Sequence, residues 1–373
     1  MNMLLDLQAH ELRRLIGQRQ LSSLELMRAC IERIEALNPA VNAVAAADFE
    51  RALQAARAAD AAVARGDDLP LLHGLPLGVK DLLDTEGLLS TCGNIGLRGH
   101  VPAADNSLVA LLRRHGAIVT CKTNVPDMGA GANTRNAVWG ATGNPFDPRL
   151  NAGGSSGGSA AALATGMLPL CTGSDTGGSL RIPAALCGVV GLRPSPGLVA
   201  NRSRPLGWSG ISVLGPMGRT VADAAFMLAA CVGLDRHDAL SVPMQPQQVW
   251  PLPAADASRL RVAFTEDFGF CAVDPAIRRT LRHRVRALAP YVASVEPLQI
   301  DMSGADEAFD VVRAEAFLAG FADLDPETLG PNVRANLEIA RRISLADRAR
   351  AHVVQTRIAR AFAQALERVD VIV

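Results

Sequence analysis

The stretch from Asn151 to Pro183, NAGGSSGGSAAALATGMLPLCTGSDTGGSLRIP, constrains this chain more than any other. Glycine loses more conformational freedom on folding than any other residue, so glycine at this density is costly unless the backbone needs it. Two clusters, Gly153–Ser159 and Gly177–Ser179, therefore mark places where the chain takes special dihedrals or exposes its amides at close range. A flexible linker would be of low complexity, and this stretch is not. Its second cluster runs straight into Leu180-Arg181-Ile182-Pro183, which has the character of ordered core.

The rest of the chain can supply that core. It has 373 residues, of which 49% are apolar and 20% charged, an ordinary globular mix. Basic and acidic residues balance at 37 each, no basic stripe appears, and there are only one Tyr and three Trp. Both the charge and the lack of stacking platforms argue against a nucleic-acid partner. Seven cysteines (Cys30, Cys92, Cys121, Cys171, Cys187, Cys231, Cys271) are scattered among apolar neighbours and form no CxxC. Buried reduced thiols of a cytoplasmic protein are the expectation. The seven histidines lack metal-ligand spacing such as HExxH, so neither metal nor cofactor is expected. The N-terminus lacks the pattern of a signal peptide, and no run of about 18 apolar residues predicts a membrane span.

In chain order, Asp6–Ile16 reads as a short amphipathic helix. Ser22 and Glu25 form a capping box for a helix with an apolar stripe of Leu24, Met27, Ile31, Ile34 and Leu37, ended by Asn38-Pro39. A third helix spans Asp48–Arg65 and stops at Gly66. Residues 1–66 are expected to form a helical segment on a core of residues 67–373, one structural domain overall. Gly74–Lys80 reads as a buried strand ending on a lysine, Ser107–His115 as a helix and Ala117–Cys121 as a strand, the alternation of an α/β fold. Ala160–Leu170 is expected to be a buried helix, and Gly188–Leu192 a buried apolar segment. Thr220 caps a helix over Val221–Cys231. A strand at Leu260–Phe264 and helices at Pro275–Leu288, Ala305–Phe321, Pro331–Arg342 and Leu345–Glu367 follow, before a buried strand at Val369–Val373.

Three chemistries compete for the glycine-serine stretch. A phosphate cradle would need GxxxxGK[ST] or GxGxxG, and neither occurs. The elbow pattern GxSxG is present at Gly154-Ser155-Ser156-Gly157-Gly158, with Ser156 as nucleophile. It needs a strand before it, for which Pro148–Asn151 is poor, and a histidine, for which His237, His283 and His352 show no marking context. The third reading uses Asp175-Thr176-Gly177-Gly178-Ser179, where consecutive amides at a turn can converge on one oxygen beside a serine hydroxyl. Such a serine needs a base. A buried lysine can serve, because an ammonium desolvates badly. Lys80 and Lys122 are the only lysines, and arginine cannot be deprotonated, so the candidates narrow to two.

These residues carry a resemblance. Gly78-Val79-Lys80-Asp81, Gly153–Ala160, Asp175–Ala184 and Cys187–Leu192 resemble the amidase signature family. So do Thr123–Pro126, Asn144-Pro145 and Gly215–Thr220, and the likeness covers most of the chain to about Gly233. The resemblance implies an α/β/α sandwich with a large mixed central sheet flanked by helices. It implies amide hydrolysis by a Ser-Ser-Lys triad: Ser179 as nucleophile, Ser155 after a cis peptide from Gly154 as proton relay, Lys80 as base. Thr176, Gly177 and Gly178, with the Ser179 amide, would form the oxyanion hole; Asp175 and Arg181 would pair to hold the turn, and Ser156 would support it. Met128, Gly129 and Trp208 are candidates for the acyl pocket. The resemblance further implies a small-molecule amide substrate, no direct nucleic-acid contact, no membrane, a homodimer, and closing elements beyond a strand like Val369–Val373. Ile182 is apolar where amidotransferase subunits of the family typically carry glutamine, which puts a glutamine-amidase subunit of a tRNA-dependent amidotransferase second, ahead of an esterase using Ser156. A catalytically dead scaffold is the reading from another class, and the filled triad positions argue against it.

Overall fold

Helices α1 (Ala9–Gly17) and α2 (Ser23–Val41) open the chain in the computed structural model, which describes residues 3–373. The Ser22 hydroxyl accepts from the Glu25 amide while the Glu25 carboxylate accepts from the Ser22 amide, the reciprocal cap that the sequence predicts. The helix does not end at Asn38-Pro39. Pro39 sits inside its last turn, and the helix stops at Asn42, whose left-handed backbone returns its amide to the Asn38 carbonyl. The Asn38 side chain then bonds both backbone groups of Val44 and turns the chain into strand β1 (Val44–Ala47), too short and too alanine-rich to show a strand pattern in the sequence. Helix α3 (Phe49–Arg65) runs from the Asp48 cap to Gly66.

The chain divides into two compact units. The first comprises Met1–Leu252 with Ala319–Ala335. After β1 its elements are β2 (Pro76–Lys80), α4 (Ser107–Arg114), β3 (Ile118–Thr123), a small hairpin of β4 (Arg135–Asn136) and β5 (Gly140–Ala141), α5 (Gly157–Ala164), β6 (Leu170–Asp175), α6 (Arg181–Cys187), β7 (Val190–Gly191), β8 (Val213–Gly218) and α7 (Val221–Cys231). A mixed six-stranded sheet runs in the order β1-β3-β2-β6-β8-β7, with β3, β2 and β6 mutually parallel. Alternation sends Leu77, Val79, Leu170 and Leu214 to one face, against α1, α4 and α7, and Cys121, Cys171 and Met217 to the other, against α5 and α6. This is the helix-flanked mixed sheet that the resemblance implied.

Two expectations inside this unit change. The buried helix is α5, Gly157–Ala164, and not Ala160–Leu170: Gly166 breaks it at φ +70°, and Leu170 already opens β6. The helix starts within the glycine cluster because Gly158 lies against backbone, where a Cβ would come within 2.2 Å of the Asn124 nitrogen. Gly188–Leu192 is half-buried or exposed, since β7 is an edge strand of two residues.

The second unit comprises Pro253–Leu318 with Asn336–Val373. It holds a parallel three-stranded sheet in the order β10-β9-β11, from β9 (Arg261–Phe264), β10 (Ser294–Pro297) and β11 (Val371–Ile372). Helices α8 (Pro275–Leu288), α9 (Ala305–Phe321), α10 (Pro331–Arg342) and α11 (Leu345–Arg368) follow the predicted spans. The last strand is not buried: β11 pairs on one side only, and Val371 and Val373 are exposed. Among the described residues no helix is long and apolar enough to cross a membrane.

Candidate active site

Parallel pairing of β2 with β6 sets Gly78 opposite Cys171. Continued to the carboxyl ends of both strands, that register sets Lys80 level with Gly173, between Thr172 and Ser174. The Lys80 amide donates to Thr172 Oγ1 at 2.8 Å, and its Nζ lies 2.9 Å from Ser174 Oγ and 3.5 Å from the Ser174 carbonyl. The third neighbour of Nζ is Ser155 Oγ, at 2.7 Å. Ser155 follows a cis peptide from Gly154, and Gly154 packs against the backbone of Gly131–Asn133, where a Cβ would meet the Gly131 oxygen at 2.8 Å.

Lys80 is fully buried. Burial pushes its ammonium down to about 7, against a smaller opposing pull from Asp175. Among the described residues, the Ser155 and Ser174 hydroxyls have no partner other than Nζ. Each is therefore able to aim its proton at a neutral amine.

The second glycine cluster is a turn between β6 and α6. Asp175 is wholly buried; desolvation raises its carboxyl, but Arg181 and the Gly178 and Leu180 amides outweigh this and hold it at about 2. Gly178 donates to Asp175 Oδ1 at 2.8 Å and Leu180 to Oδ2 at 3.1 Å. This corrects the expected oxyanion set: the Gly178 amide is committed to Asp175. Gly178 is there for its backbone, at φ +108° and with no room for a Cβ beside Ile182. Among the described residues the Thr176, Gly177 and Ser179 amides donate no hydrogen bond to the protein. Ser179 is half-buried, and its carbonyl accepts from the Ser156 amide at 3.2 Å. No hydrogen bond joins Ser155 to Ser179 among the described residues.

Ser156 is fully buried at the start of α5; its hydroxyl donates to the Ser174 carbonyl at 3.4 Å, and no strand runs directly into it. This excludes the exposed strand-to-helix nucleophile that GxSxG would require. Met128 and Gly129 lie half-buried in the loop before Gly131, with positive φ at both. Trp208 is 82% exposed on the loop before β8. Lys122, the other base candidate, points away from the serines: its Nζ bonds Thr85 Oγ1 at 3.1 Å, Ser90 Oγ at 3.0 Å and the Leu83 carbonyl, with Asp81 at 3.6 Å. Burial pushes Lys122 down and Asp81 up, and the attraction between the two opposes both shifts.

Two site residues escape a reading of the sequence. Ser174 is legible in principle, since reading Leu170–Asp175 as a strand puts Thr172 and Ser174 on one side. Arg193 is not. Its guanidinium bonds both the carbonyl and the carboxylate of Asp175, and it stands among many arginines with no local mark. Among the described residues, no group of histidine, cysteine, aspartate and glutamate side chains could hold a metal ion.

The family model described as Amidase matches residues 25–373. The A subunit of the glutamyl-tRNA(Gln) amidotransferase of Acidothermus cellulolyticus is 40% identical over 288 residues, which is 77% of this chain and 57% of that protein. The protein of the same name from Roseiflexus castenholzii is 34% identical over an alignment covering 100% of this chain and 81% of its own length. Among solved structures, a bacterial aryl acylamidase of the amidase signature enzymes superposes with a TM-score of 0.89 at 26% identity, covering 97% of this chain and 78% of that one.

Proposed function

The chain belongs to the amidase family, and we propose that it hydrolyses carboxylic amide C–N bonds through an acyl-enzyme on Ser179. The observation that carries this reading is the 2.7 Å contact between the buried Lys80 Nζ and Ser155 Oγ. Neutral Lys80 accepts the Ser155 proton as Ser155 takes one from Ser179. Ser179 Oγ attacks the amide carbonyl, and the Thr176, Gly177 and Ser179 amides receive the developing oxyanion. The proton returns from Lys80 through Ser155 to the leaving amine as the C–N bond breaks. Water then attacks the acyl carbon, giving its proton to Ser155 and Lys80, and Ser179 leaves with a proton restored. Substrate draws the Ser155–Ser179 contact together, as catalytic hydrogen bonds commonly tighten only in the bound complex.

A fluorophosphonate probe with peptide mapping tests the nucleophile. Labelling at Ser179, absent in Ser179→Ala, together with loss of amide hydrolysis in Lys80→Ala and Ser155→Ala, is the expected result. Labelling at Ser156, or full activity in any of these variants, overturns the assignment.

A second reading has its own support. The curated relatives described above are named as amidotransferase subunits, and one matches the whole chain. On that reading the amide is glutamine and the chain works with partner subunits. Hydrolysis of glutamine that rises only when partner subunits and tRNA are added would favour it, whereas turnover of aryl or aliphatic amides by the isolated chain favours the first.

A further inference from the structure

We propose that Arg193 is the positioning residue that aims the oxyanion turn, and that it does so through the peptide plane joining Asp175 to Thr176. The inference rests on the amide-hydrolase reading of the site. Asp175 carries two arginines, and a carboxylate needs only one for charge balance. Its Oδ1 receives Gly178, Arg181 and Arg193 donors, and its Oδ2 receives Leu180 and Arg181. A carboxylate offers about four lone-pair sites, so five donors already overfill it.

The two arginines are not equivalent. The Arg181 side chain is 57% exposed and its hydrogen bonds all go to the Asp175 carboxylate. Its outer face is open to solvent, which screens part of its pull on the buried carboxylate. The Arg193 side chain is 24% exposed and spreads its donors over two segments. Its Nη1 reaches both the Asp175 carbonyl and Oδ1, while Nη2 reaches the Ile211 carbonyl at 3.0 Å and the Gly210 carbonyl at 3.4 Å. One guanidinium thus ties the end of β6, the carboxylate that orders the turn, and the loop entering β8.

The main-chain contact matters most. A trans peptide plane carries its C=O and its N–H on opposite sides. By holding the Asp175 carbonyl, Arg193 fixes the direction in which the Thr176 N–H points, and that N–H is the first of the three free amides of the turn. The same group contacts Asp175 Oδ1 beside the Gly178 amide, so it sets the turn from both ends. A lysine at this place would bring charge but not a planar fork that spans opposed carbonyls.

The test compares fluorophosphonate inactivation of wild type, Arg193→Ala, Arg193→Lys, Arg181→Ala and Ser179→Ala, because the phosphyl oxygen of the adduct occupies the oxyanion position. Misaiming one oxyanion donor is expected to lower kinact on the order of 100-fold in Arg193→Ala, with KI nearly unchanged. Arg193→Lys should recover only part of kinact, Arg181→Ala, which leaves the Asp175 carbonyl held, should lose less than Arg193→Ala, and millimolar guanidinium should restore Arg193→Ala. A merely structural role would not give that split or that rescue. Wild-type kinact in a folded Arg193→Ala, or an effect confined to KI, overturns the proposal. If circular dichroism shows Arg193→Ala unfolded, Arg193→Lys decides: a lowered kinact at unchanged KI supports it, and wild-type kinact contradicts it. A wild type that is not labelled at Ser179 overturns the amide-hydrolase reading itself, and the inference with it.

Discussion

Lys80 and Lys122 are the only lysines of the chain, both are fully buried, and their surroundings prescribe opposite protonation states. Around Lys122 the oxygens can only accept. The Leu83 carbonyl has no proton, Thr85 Oγ1 gives its own to the Leu83 carbonyl at 3.2 Å, and Ser90 Oγ gives its own to the Leu88 carbonyl at 3.0 Å. Three acceptors and the nearby Asp81 carboxylate require an ammonium. Around Lys80 the two close oxygens are hydroxyls with uncommitted protons. Burial destabilises both cations, but only at Lys80 do the neighbours also fit a neutral amine. On the proposed mechanism, burial alone does not make Lys80 the base; the hydroxyls around it, free to turn their protons toward a neutral amine, do.

The largest test of that contrast is activity. Lys80→Met should lower kcat/KM for p-nitroacetanilide on the order of 10,000-fold, the scale of losing one member of a catalytic triad. Lys122→Met should act on stability instead. Leaving Asp81 buried without its partner costs about 3–5 kcal/mol, read as a lower urea midpoint. Should the two variants exchange these effects, the contrast is wrong.

The pH dependence sharpens it. Lys80 is held at about 7 in the fold against an ordinary 10.5 in the unfolded chain. Between those values the unfolded chain binds a proton that the folded chain does not, so this group makes stability rise with pH across the window, and its burden is constant below it. Thermal melts should show a steeper rise in wild type than in Lys80→Met. Activity should fall on the acid side with an apparent pKa near 7, where the base takes up its proton. The smallest expected effect is that of Ser174→Ala. It removes one hydrogen bond to Nζ, worth about 1 kcal/mol or about fivefold in kcat/KM, and should leave folding intact.

The same contrast explains what was legible in the sequence. Helices α2, α3, α7 and α8 announce themselves through caps and stripes that act within a few residues. The lysine count narrowed the base to Lys80 or Lys122, and it was the family resemblance that pointed to Lys80, Ser155, Asp175 and Arg181, of which the fold joins Lys80 to Ser155 and Arg181 to Asp175. Strand β6 was hidden because Leu170–Asp175 contains a glycine, a serine and an aspartate, and its strand character comes from pairing on both sides. The Gly178 amide could not be assigned either, because its donation to Asp175 depends on how the turn closes. Ser174 follows only once β6 is recognised as a strand, whereas Arg193 and the committed hydroxyls around Lys122 are tertiary facts. Nothing in Thr85 or Ser90 as letters says which way their protons point.

With two lysines in the chain, a protein carrying 13C at the lysine ε-carbon gives one side-chain signal for each. Followed across pH, one signal should titrate near 7 and vanish in Lys80→Met, while the other remains that of an ammonium through neutral pH. Two signals that both stay ammonium-like well above neutral pH, or a titrating signal that survives Lys80→Met, would contradict the assignment of Lys80 as the base.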